Sequence, residues 1–249
     1  MNKIFHCAAF LLLIQFAQAQ KKDKTYTSIA QALQDPARVT VLSLKGQGLR
    51  ALPDNITSLV NLEQLDLSNN AFTTLPPQIF KLTKLKVLRL DANPFINPSA
   101  ELKKLATLTN LTSLNFSANK VSDFPVELLR LTNLSELDLG YGSIRNLPTD
   151  IDKLKSLKRL VLTKNLITAL PSSFFNLPNL QSLDLSYNDF KALQPEFANL
   201  SLRGLDVSFN KNLATIPPIK DIRYINVKST KADIEKLKWT LGEYCTILN

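Results

Sequence analysis

Three aspartates are the side chains of this 249-residue chain that are placed for acid–base chemistry. Asp138, Asp184 and Asp206 each stand between two apolar residues in the same local pattern. Paired carboxylates of this kind act as general acid and base, or as nucleophile, in hydrolysis. These aspartates could therefore act in catalysis only if the fold places them around a cleft.

The first 19 residues have the pattern of a secretory signal peptide. Lys3 gives a positive start, residues 10–16 supply most of an apolar stretch, and Ala17-Gln18-Ala19 has the small-x-small form of a cleavage site. The apolar stretch is too short to span a bilayer, and no other stretch approaches 18 apolar residues. We therefore expect an exported protein without a transmembrane segment, in a secreted, periplasmic or surface-associated location.

Removal of this peptide would also remove most of the usual catalytic groups. His6 is the only histidine, and loss of Cys7 would leave Cys245 as the only thiol. A chain without histidine cannot build a Ser-His-Asp triad, a Cys-His pair or a histidine-based zinc site. One cysteine cannot form an internal disulfide, so Cys245 is interpreted as a small apolar residue of a terminal cap. We predict no catalytic residues, no metal site and no cofactor.

A second set of residues has the composition of a binding surface. Aromatic side chains beside arginine or lysine are common among the residues that dominate binding energy at protein interfaces. The candidates are Tyr141, Arg159, Lys164, Tyr187, Arg203, Phe209 and Tyr224.

These residues are positioned by a pattern that recurs through most of the chain. Leu62-x-x-Leu65-x-Leu67-x-x-Asn70 returns with the same spacing from Leu85. The successive starts are separated by 23, 23, 26, 23, 23, 23, 22 and 20 residues, and lie at Val39, Leu62, Leu85, Leu111, Leu134, Leu157, Leu180, Leu202 and Ile222. A fixed period in this range predicts a solenoid, because each unit can bury its apolar face only by stacking on its neighbours.

The two halves of each repeat have different signatures. The alternating Leu65-x-Leu67 pair predicts a strand with Asp66 on the opposite face. A Leu-Pro step such as Leu75-Pro76 follows, and proline favours an extended chain that turns away from the strand. An Ile/Leu/Phe-x-x-Leu motif then predicts a short helical or 3-10 turn on the return arm.

The repeat resembles the leucine-rich-repeat family over residues 39–232, with about eight to nine repeats. The resemblance implies an α/β solenoid: a horseshoe with a parallel concave β-sheet and short helical, 3-10 or extended return arms. It also implies that the asparagines of the motif point inward and bond to the backbone of the adjacent turn. These are Asn70, Asn93, Asn119, Asn165, Asn188 and Asn210.

The segments on either side of the solenoid are predicted to be caps. In residues 20–38, we expect Thr27 to cap a short helix over residues 28–34. In residues 233–249, we expect a helix preceded by a capping box at Thr230-x-x-Asp233, and then an edge strand. The N-terminal segment and the 23-residue repeat also resemble exported leucine-rich-repeat proteins of Gram-negative bacteria.

Two irregular segments carry further expectations. The three-residue insertion within 95–105 is expected to form a tolerated loop on the convex side. Gly140-Tyr141-Gly142 replaces the usual Ser-x-Asn and is expected to loosen the fifth turn.

The family's geometry places the variable positions of the strands on the concave face. The candidate binding residues then fall on the C-terminal half of that face. The aromatic residues there either bind a ligand or shield neighbouring repeats, and the sequence leaves both interpretations open. The three aspartates share one column of adjacent strands, which would expose a row of carboxylates and no cleft.

We therefore predict a non-catalytic, exported module that holds a protein partner of unknown identity on its concave surface. The alternative is an adhesive surface protein that binds glycan or cell wall, with sugar rings stacked on the aromatic residues. The net charge falls from +9 to +8 on loss of Lys3, but the basic residues are scattered, so no nucleic-acid partner is predicted.

Overall fold

A computed structural model describes residues 24–241 and 245–249. The predicted signal peptide, with His6 and Cys7, lies outside the described residues. The described chain forms one 11-stranded parallel sheet in which the strands follow their order in the sequence. The strands are β1 Thr25–Tyr26, β2 Val41–Ser43, β3 Gln64–Asp66, β4 Val87–Arg89, β5 Ser113–Asn115, β6 Glu136–Asp138, β7 Arg159–Val161, β8 Ser182–Asp184, β9 Gly204–Asp206, β10 Tyr224–Asn226 and β11 Thr246–Leu248.

The sequence repeat and the register of the sheet coincide. The central leucine of each strand pairs with the central leucine of the next, as Leu65 does with Leu88 and Leu160 with Leu183. These central side chains are buried, whereas the flanking residues on either side face the opposite surface. The predicted solenoid with a parallel sheet is confirmed.

The return arms are short 3-10 turns that begin beside proline in most repeats. Proline suits this position because its fixed φ fits a first helical turn, where its missing N–H is not needed. Every turn except the first buries one or two apolar side chains, such as Ile79 or Phe174, against the leucine stack. The turns span Pro36–Arg38, Asp54–Ser58, Pro77–Lys81, Leu105–Thr107, Val126–Arg130, Ile151–Lys153, Ser172–Asn176 and Pro195–Asn199.

The predicted cap residues of the two terminal helices were wrong. Helix α1 (Ile29–Ala32) is capped by Ser28 rather than Thr27, because the Ser28 hydroxyl accepts from the Gln31 amide at 3.1 Å. Helix α3 (Ile234–Leu241) is capped by the Asp233 carboxylate, which accepts from the Lys236 amide at 3.1 Å. Thr230 instead donates its hydroxyl to the Val227 carbonyl at 2.7 Å and closes the preceding turn.

The motif asparagines link neighbouring repeats through both ends of their side-chain amides. The Asn188 amide group donates to the carbonyls of Leu162 and Leu185, at 2.9 and 3.0 Å, and its oxygen accepts from the Ile167 amide at 2.9 Å. The other motif asparagines make equivalent bonds. They are 9% exposed or less, so these bonds satisfy backbone groups that water does not reach.

The insertion after the third repeat forms a helix, so the expectation of a simple loop was wrong. Helix α2 (Pro98–Lys104) is capped by Asn97 and buries Glu101, which is 6% exposed. One Glu101 carboxylate oxygen accepts from the Leu75 amide at 2.9 Å, and the other accepts from Lys104 Nζ at 2.7 Å. The carboxylate thereby satisfies a buried amide at the Leu75-Pro76 step of the preceding return arm.

We expect Glu101→Ala to lower the free energy of unfolding by about 2–3 kcal/mol, because it leaves the buried Leu75 amide without an acceptor. Glu101→Gln keeps an acceptor oxygen and should cost less than half as much. Glu127→Ala is the matched control, since Glu127 also pairs with a lysine but is more exposed. Urea denaturation followed by circular dichroism measures all three. Equal losses for Glu101→Ala and Glu127→Ala would contradict the role given to the buried carboxylate.

The turn at Gly140-Tyr141-Gly142 is tightly packed, contrary to the expectation that it is loosened. A Cβ atom at Gly142 would lie 2.5 Å from the Val121 carbonyl oxygen and 2.7 Å from Asn165 Oδ1. The neighbouring repeats therefore occupy the space that a side chain would need. Glycine fits this position because it has no Cβ atom.

Candidate binding surface

The seven predicted binding residues fall into three rows on the sheet. Arg159 and Tyr224 are the first residues of β7 and β10 and lie within the concave strands. Arg203 precedes β9 and is exposed at the edge where the strands begin. The remaining four residues each stand three positions after a strand, at the edge where the strands end. The structure thus brings four of the seven together and separates them from the other three.

We call these four residues, Tyr141, Lys164, Tyr187 and Phe209, the edge ladder. Each belongs to one of four consecutive repeats. The main-chain amide of each bonds to a carbonyl of the following repeat, at 2.8, 2.8, 2.9 and 2.7 Å in chain order. The neighbouring positions are therefore held in register, and adjacent strands of a sheet lie about 4.7–4.9 Å apart.

The backbone of the edge ladder has a conformation that large side chains rarely adopt. The φ angles of Tyr141, Lys164, Tyr187 and Phe209 are 61°, 55°, 54° and 58°. The same position has positive φ in the other repeats, where it holds smaller residues such as Asn69, Ala92 or Gly46. Glycine and asparagine tolerate this left-handed conformation most readily, so aromatic residues here carry conformational strain.

Ring contacts connect the side chains of the edge ladder. The rings of Tyr187 and Phe209 stack with centroids 4.1 Å apart and an interplanar angle of 9°. Lys164 Nζ lies over the Tyr141 ring, 5.0 Å from its centroid. Tyr141 and Tyr187 nevertheless remain 52% and 48% exposed. The ladder is an ordered aromatic and cationic stripe that still faces solvent.

A shallow groove of about 350 Å³ runs beside the edge ladder, and we call it the edge groove. Lys164, Tyr187 and Phe209 form one wall, and Asp189 and Lys211 contribute to the rest. Its charged side chains are thus two lysines and one aspartate. The groove offers a mixed polar and apolar surface with a small excess of positive charge.

The aspartates of the concave strands have a structural task that the sequence analysis missed. Asp184 Oδ1 accepts from the amide and the hydroxyl of Ser186, at 2.9 and 2.6 Å. Asp206 bonds to Ser208 in the same way, and Asp138 accepts from the Gly140 amide at 2.9 Å. The Asp-x-Ser spacing, which recurs in the sequence, is the pattern that could have predicted this role. The carboxylates close the turn that carries the chain from the strand to the edge position.

Burial raises the pKa of the carboxyls in this column. The pKa of Asp184 rises to about 6, chiefly because of burial and then because Asp206 lies on the adjacent strand in register. Burial also raises the pKa of Asp138, although Arg159 opposes the shift. The pKa of the Tyr224 hydroxyl rises to about 12, through burial and the nearby Asp206 and Asp184 carboxylates.

The Asp184 shift predicts a pH dependence of stability. A pKa that is higher in the folded chain than in the unfolded chain stabilises the fold at low pH, and this contribution is lost as pH rises towards 6. Asp184→Asn keeps the acceptor for Ser186 and carries no charge. We expect it to stabilise the chain by about 1 kcal/mol at pH 7 and to change little at pH 4, allowing for partial solvent screening.

Urea titrations of the wild type and Asp184→Asn between pH 4 and 8 test this expectation. Asp66→Asn is the matched control, because Asp66 makes the same bonds to Ser68 in the second repeat. A stability difference between wild type and Asp184→Asn that does not vary with pH would contradict the assignment.

The described part of the chain offers no alternative metal or membrane site. Within residues 24–241 and 245–249, no group of three or more His, Cys, Asp or Glu side chains is placed to hold a metal ion. No helix in those ranges has the length and apolar character needed to cross a bilayer.

A parallel sheet with one strand per 23-residue repeat, 3-10 return arms and an inward asparagine ladder defines a repeat solenoid of the leucine-rich type. Family models agree: one for a leucine-rich repeat region matches residues 20–143, and one for a leucine rich repeat matches residues 155–211. The chain belongs to the leucine-rich-repeat family. This fold is commonly a protein-interaction module and is typically non-catalytic.

Solved structures of bacterial proteins resemble the chain. A leucine-rich-repeat protein of Leptospira interrogans is 33% identical with a TM-score of 0.79, over 91% of this chain and 58% of that protein. The leucine-rich repeat domain of the type III effector XopL is 25% identical with a TM-score of 0.70, over 88% of this chain and 79% of that domain.

Internalin C2 of Listeria monocytogenes shares the fold at 22% identity and a TM-score of 0.58, over 86% of this chain and 83% of that protein. None of the curated proteins compared with the chain matches it. The chain spans 58% of the length of the Leptospira protein, so that protein is considerably longer than the region of similarity.

Proposed function

We propose that the protein is an exported, non-catalytic module that holds a protein partner through the edge ladder and the adjoining concave strands. The observation that carries this proposal is the placement of large aromatic residues in left-handed backbone at Tyr141, Tyr187 and Phe209, of which the two tyrosines are about half exposed. Such placements cost on the order of 1 kcal/mol each and concentrate at functional sites. Shielding of neighbouring repeats does not require them, because Asn69, Ala92 and Ala118 occupy the same position elsewhere.

The rigidity of the scaffold supports the same proposal. Main-chain and asparagine bonds fix the ladder positions from repeat to repeat, so a partner would meet a surface whose rings are already ordered. A preorganised aromatic surface loses little conformational entropy on binding. Tyrosine and phenylalanine also supply large contact areas beside the lysine side chains of the edge groove.

Export is part of the proposal and rests on the amino-terminal sequence. Cleavage after Ala19 would remove Lys3, His6 and Cys7 and leave a chain that begins at Gln20. Mass spectrometry of the protein recovered from its producing cells, fractionated into cytoplasm, envelope and medium, tests this step. Recovery of the uncleaved chain in the cytoplasm alone would overturn it.

Glycan binding is the second candidate, and the exposed end of the ladder favours it. The equivalent position in the repeat before Tyr141 holds Ala118, whose side chain is too small to cover the tyrosine ring. Tyr141 therefore presents a ring that is 52% exposed, on which a sugar could stack. The Tyr187 and Phe209 rings stack on each other, which reduces the area available for a sugar.

A pull-down from envelope and culture-medium extracts tests the proposed function. The bait proteins are the chain from Gln20 to Asn249 and a variant with Tyr141, Tyr187 and Phe209 changed to asparagine. Asparagine suits the left-handed backbone, so the variant should fold. Trp239→Ala is the control, because Trp239 is 88% exposed on α3, away from the ladder.

The proposal expects a protein that the wild type and Trp239→Ala retain and that the ladder variant loses. Recovery of polysaccharide with the same dependence would favour the glycan candidate. Equal recovery by all three baits would show that the edge ladder is not the binding surface.

A further inference from the structure

The spacing of the edge ladder suggests what kind of partner segment it takes. Tyr141 and Tyr187 are its two most exposed rings, and they stand two repeats apart with Lys164 between them. Two strand spacings separate them by about 9.6 Å. A polyproline II helix repeats every three residues, and at a rise of about 3.1 Å per residue its turn is about 9.3 Å long.

We propose that the edge ladder binds a proline-rich segment of the partner in the polyproline II conformation, with successive turns of that segment meeting Tyr141 and Tyr187. The proposal rests on the proposed function and names the chemistry of the partner at the same site. Proline-rich segments commonly dock on aromatic-lined grooves, because their backbone is already extended and loses little entropy on binding.

The polar groups of the ladder and groove match the needs of such a segment. A polyproline II backbone makes no internal hydrogen bonds, so its carbonyls seek external donors. The Tyr141 and Tyr187 hydroxyls and the Lys164 ammonium provide donors at the exposed tips of the ladder. Lys164 and Lys211 outnumber Asp189 along the edge groove, so acidic residues near the prolines would add favourable charge pairing.

The ring contacts favour a peptide over a glycan between the two tyrosines. Sugar binding by aromatic residues uses a free ring face. Here Phe209 covers one face of Tyr187, and the Lys164 ammonium lies over one face of Tyr141. The stretch between the tyrosines therefore presents ring edges and polar tips, which suit the ridged surface of a proline helix better than the flat face of a sugar.

Binding of a defined peptide to the purified chain tests the proposal without the natural partner. The probe is an oligoproline flanked by glutamates and labelled for fluorescence anisotropy. A peptide of the same length with glycine and serine in place of proline is the flexible control. Tyr141→Asn and Tyr187→Asn should each weaken binding of the oligoproline about tenfold, as expected for aromatic residues that dominate an interface. Trp239→Ala should leave it unchanged.

A swap of two ladder residues tests the spacing itself. The double variant Lys164→Tyr/Tyr187→Lys keeps the composition and charge of the surface but places the tyrosines on adjacent repeats. We expect it to lose at least tenfold in affinity while unfolding at a similar urea concentration to the wild type. A swap variant that binds as well as wild type would overturn the proposed register. So would equal binding of the oligoproline and the flexible control.

The outcomes separate this inference from the proposed function. A pull-down partner that depends on the ladder, together with no oligoproline binding, would overturn the inference and leave the proposed function standing. Oligoproline binding without any ladder-dependent partner would support the inferred chemistry and count against the proposed function in those extracts. Binding of β-linked oligosaccharides but not oligoproline, lost in Tyr141→Asn, would overturn the inference in favour of a glycan.

Discussion

Asn188→Ala should lower the free energy of unfolding by about 3–5 kcal/mol, because it removes four hydrogen bonds to buried backbone groups. The Leu162 and Leu185 carbonyls would each lose a donor, and the Ile167 amide would lose its acceptor. The side chain is only 5% exposed, so water cannot replace these bonds without opening the stack. Urea or thermal denaturation followed by circular dichroism measures the loss.

Asn179→Ala is the matched control for this prediction. The Asn179 side chain also donates to a carbonyl of the preceding repeat, that of Lys155 at 2.8 Å, but it does so at the exposed surface. Water can replace that bond, so we expect a loss of less than about 1 kcal/mol. Similar losses at positions 179 and 188 would contradict the role given to the buried bonds of Asn188.

Gly142→Ala should destabilise the chain by about 2–3 kcal/mol, although alanine is often a stabilising replacement for glycine. The new methyl group would meet the Val121 carbonyl oxygen and Asn165 Oδ1 at 2.5 and 2.7 Å. Asn165 cannot easily move away, since the same oxygen accepts from the Ile144 amide at 3.0 Å. The change would therefore strain the backbone of one repeat and an asparagine bond of the next.

Gly204→Ala is the control, because a Cβ atom at that position meets nothing within 4 Å. We expect its stability to lie within about 1 kcal/mol of wild type. Any gain in stability would come from the lower conformational entropy of the unfolded chain. Denaturant midpoints of the two variants give the comparison. A Gly142→Ala chain as stable as Gly204→Ala would show that the backbone at the fifth repeat can relax.

The leucine period predicted the solenoid because one physical requirement produces both the sequence and the fold. A side chain that must enter the stack has to be apolar, and it has to recur once per turn of the solenoid. Leu65 and Leu88 therefore reveal strand, register and burial together. The requirement is weaker at the ends, where strand β1 was not predicted and where Ser28 rather than Thr27 caps α1.

Features that depend on backbone conformation or on one distant contact were harder to predict. Glu101 reads as a surface residue of an insertion, and only the folded chain brings it to the Leu75 amide, 26 positions earlier. The close approach of Val121 to Gly142 also leaves no sign in the sequence pattern, because a glycine at this position is typical of a loose turn. Periodicity describes what every repeat shares, and these contacts occur once.

The candidate site was only partly accessible to sequence reasoning. The predicted binding residues included Tyr141, Lys164, Tyr187 and Phe209, which the structure places in one row. The structure places this row at the edge where the strands end and Arg203 at the opposite edge, where the strands begin. The sequence did not indicate left-handed backbone, since tyrosine and phenylalanine seldom adopt it.

Although the turn at Gly142 is tightly packed, the absence of a motif asparagine there divides the asparagine ladder into an N-terminal and a C-terminal unit. Within the described chain, the carbonyls of Leu67, Leu90, Leu162 and Leu185 each receive two asparagine side chains, whereas those of Phe116 and Leu139 receive one. The boundary between the fourth and fifth repeats thus lacks an asparagine bond that the neighbouring internal boundaries have, and we expect the units on its two sides to open separately. The edge ladder lies entirely on the C-terminal side of that boundary. A ligand bound to it would slow hydrogen exchange in the C-terminal unit and leave the N-terminal unit to open as before.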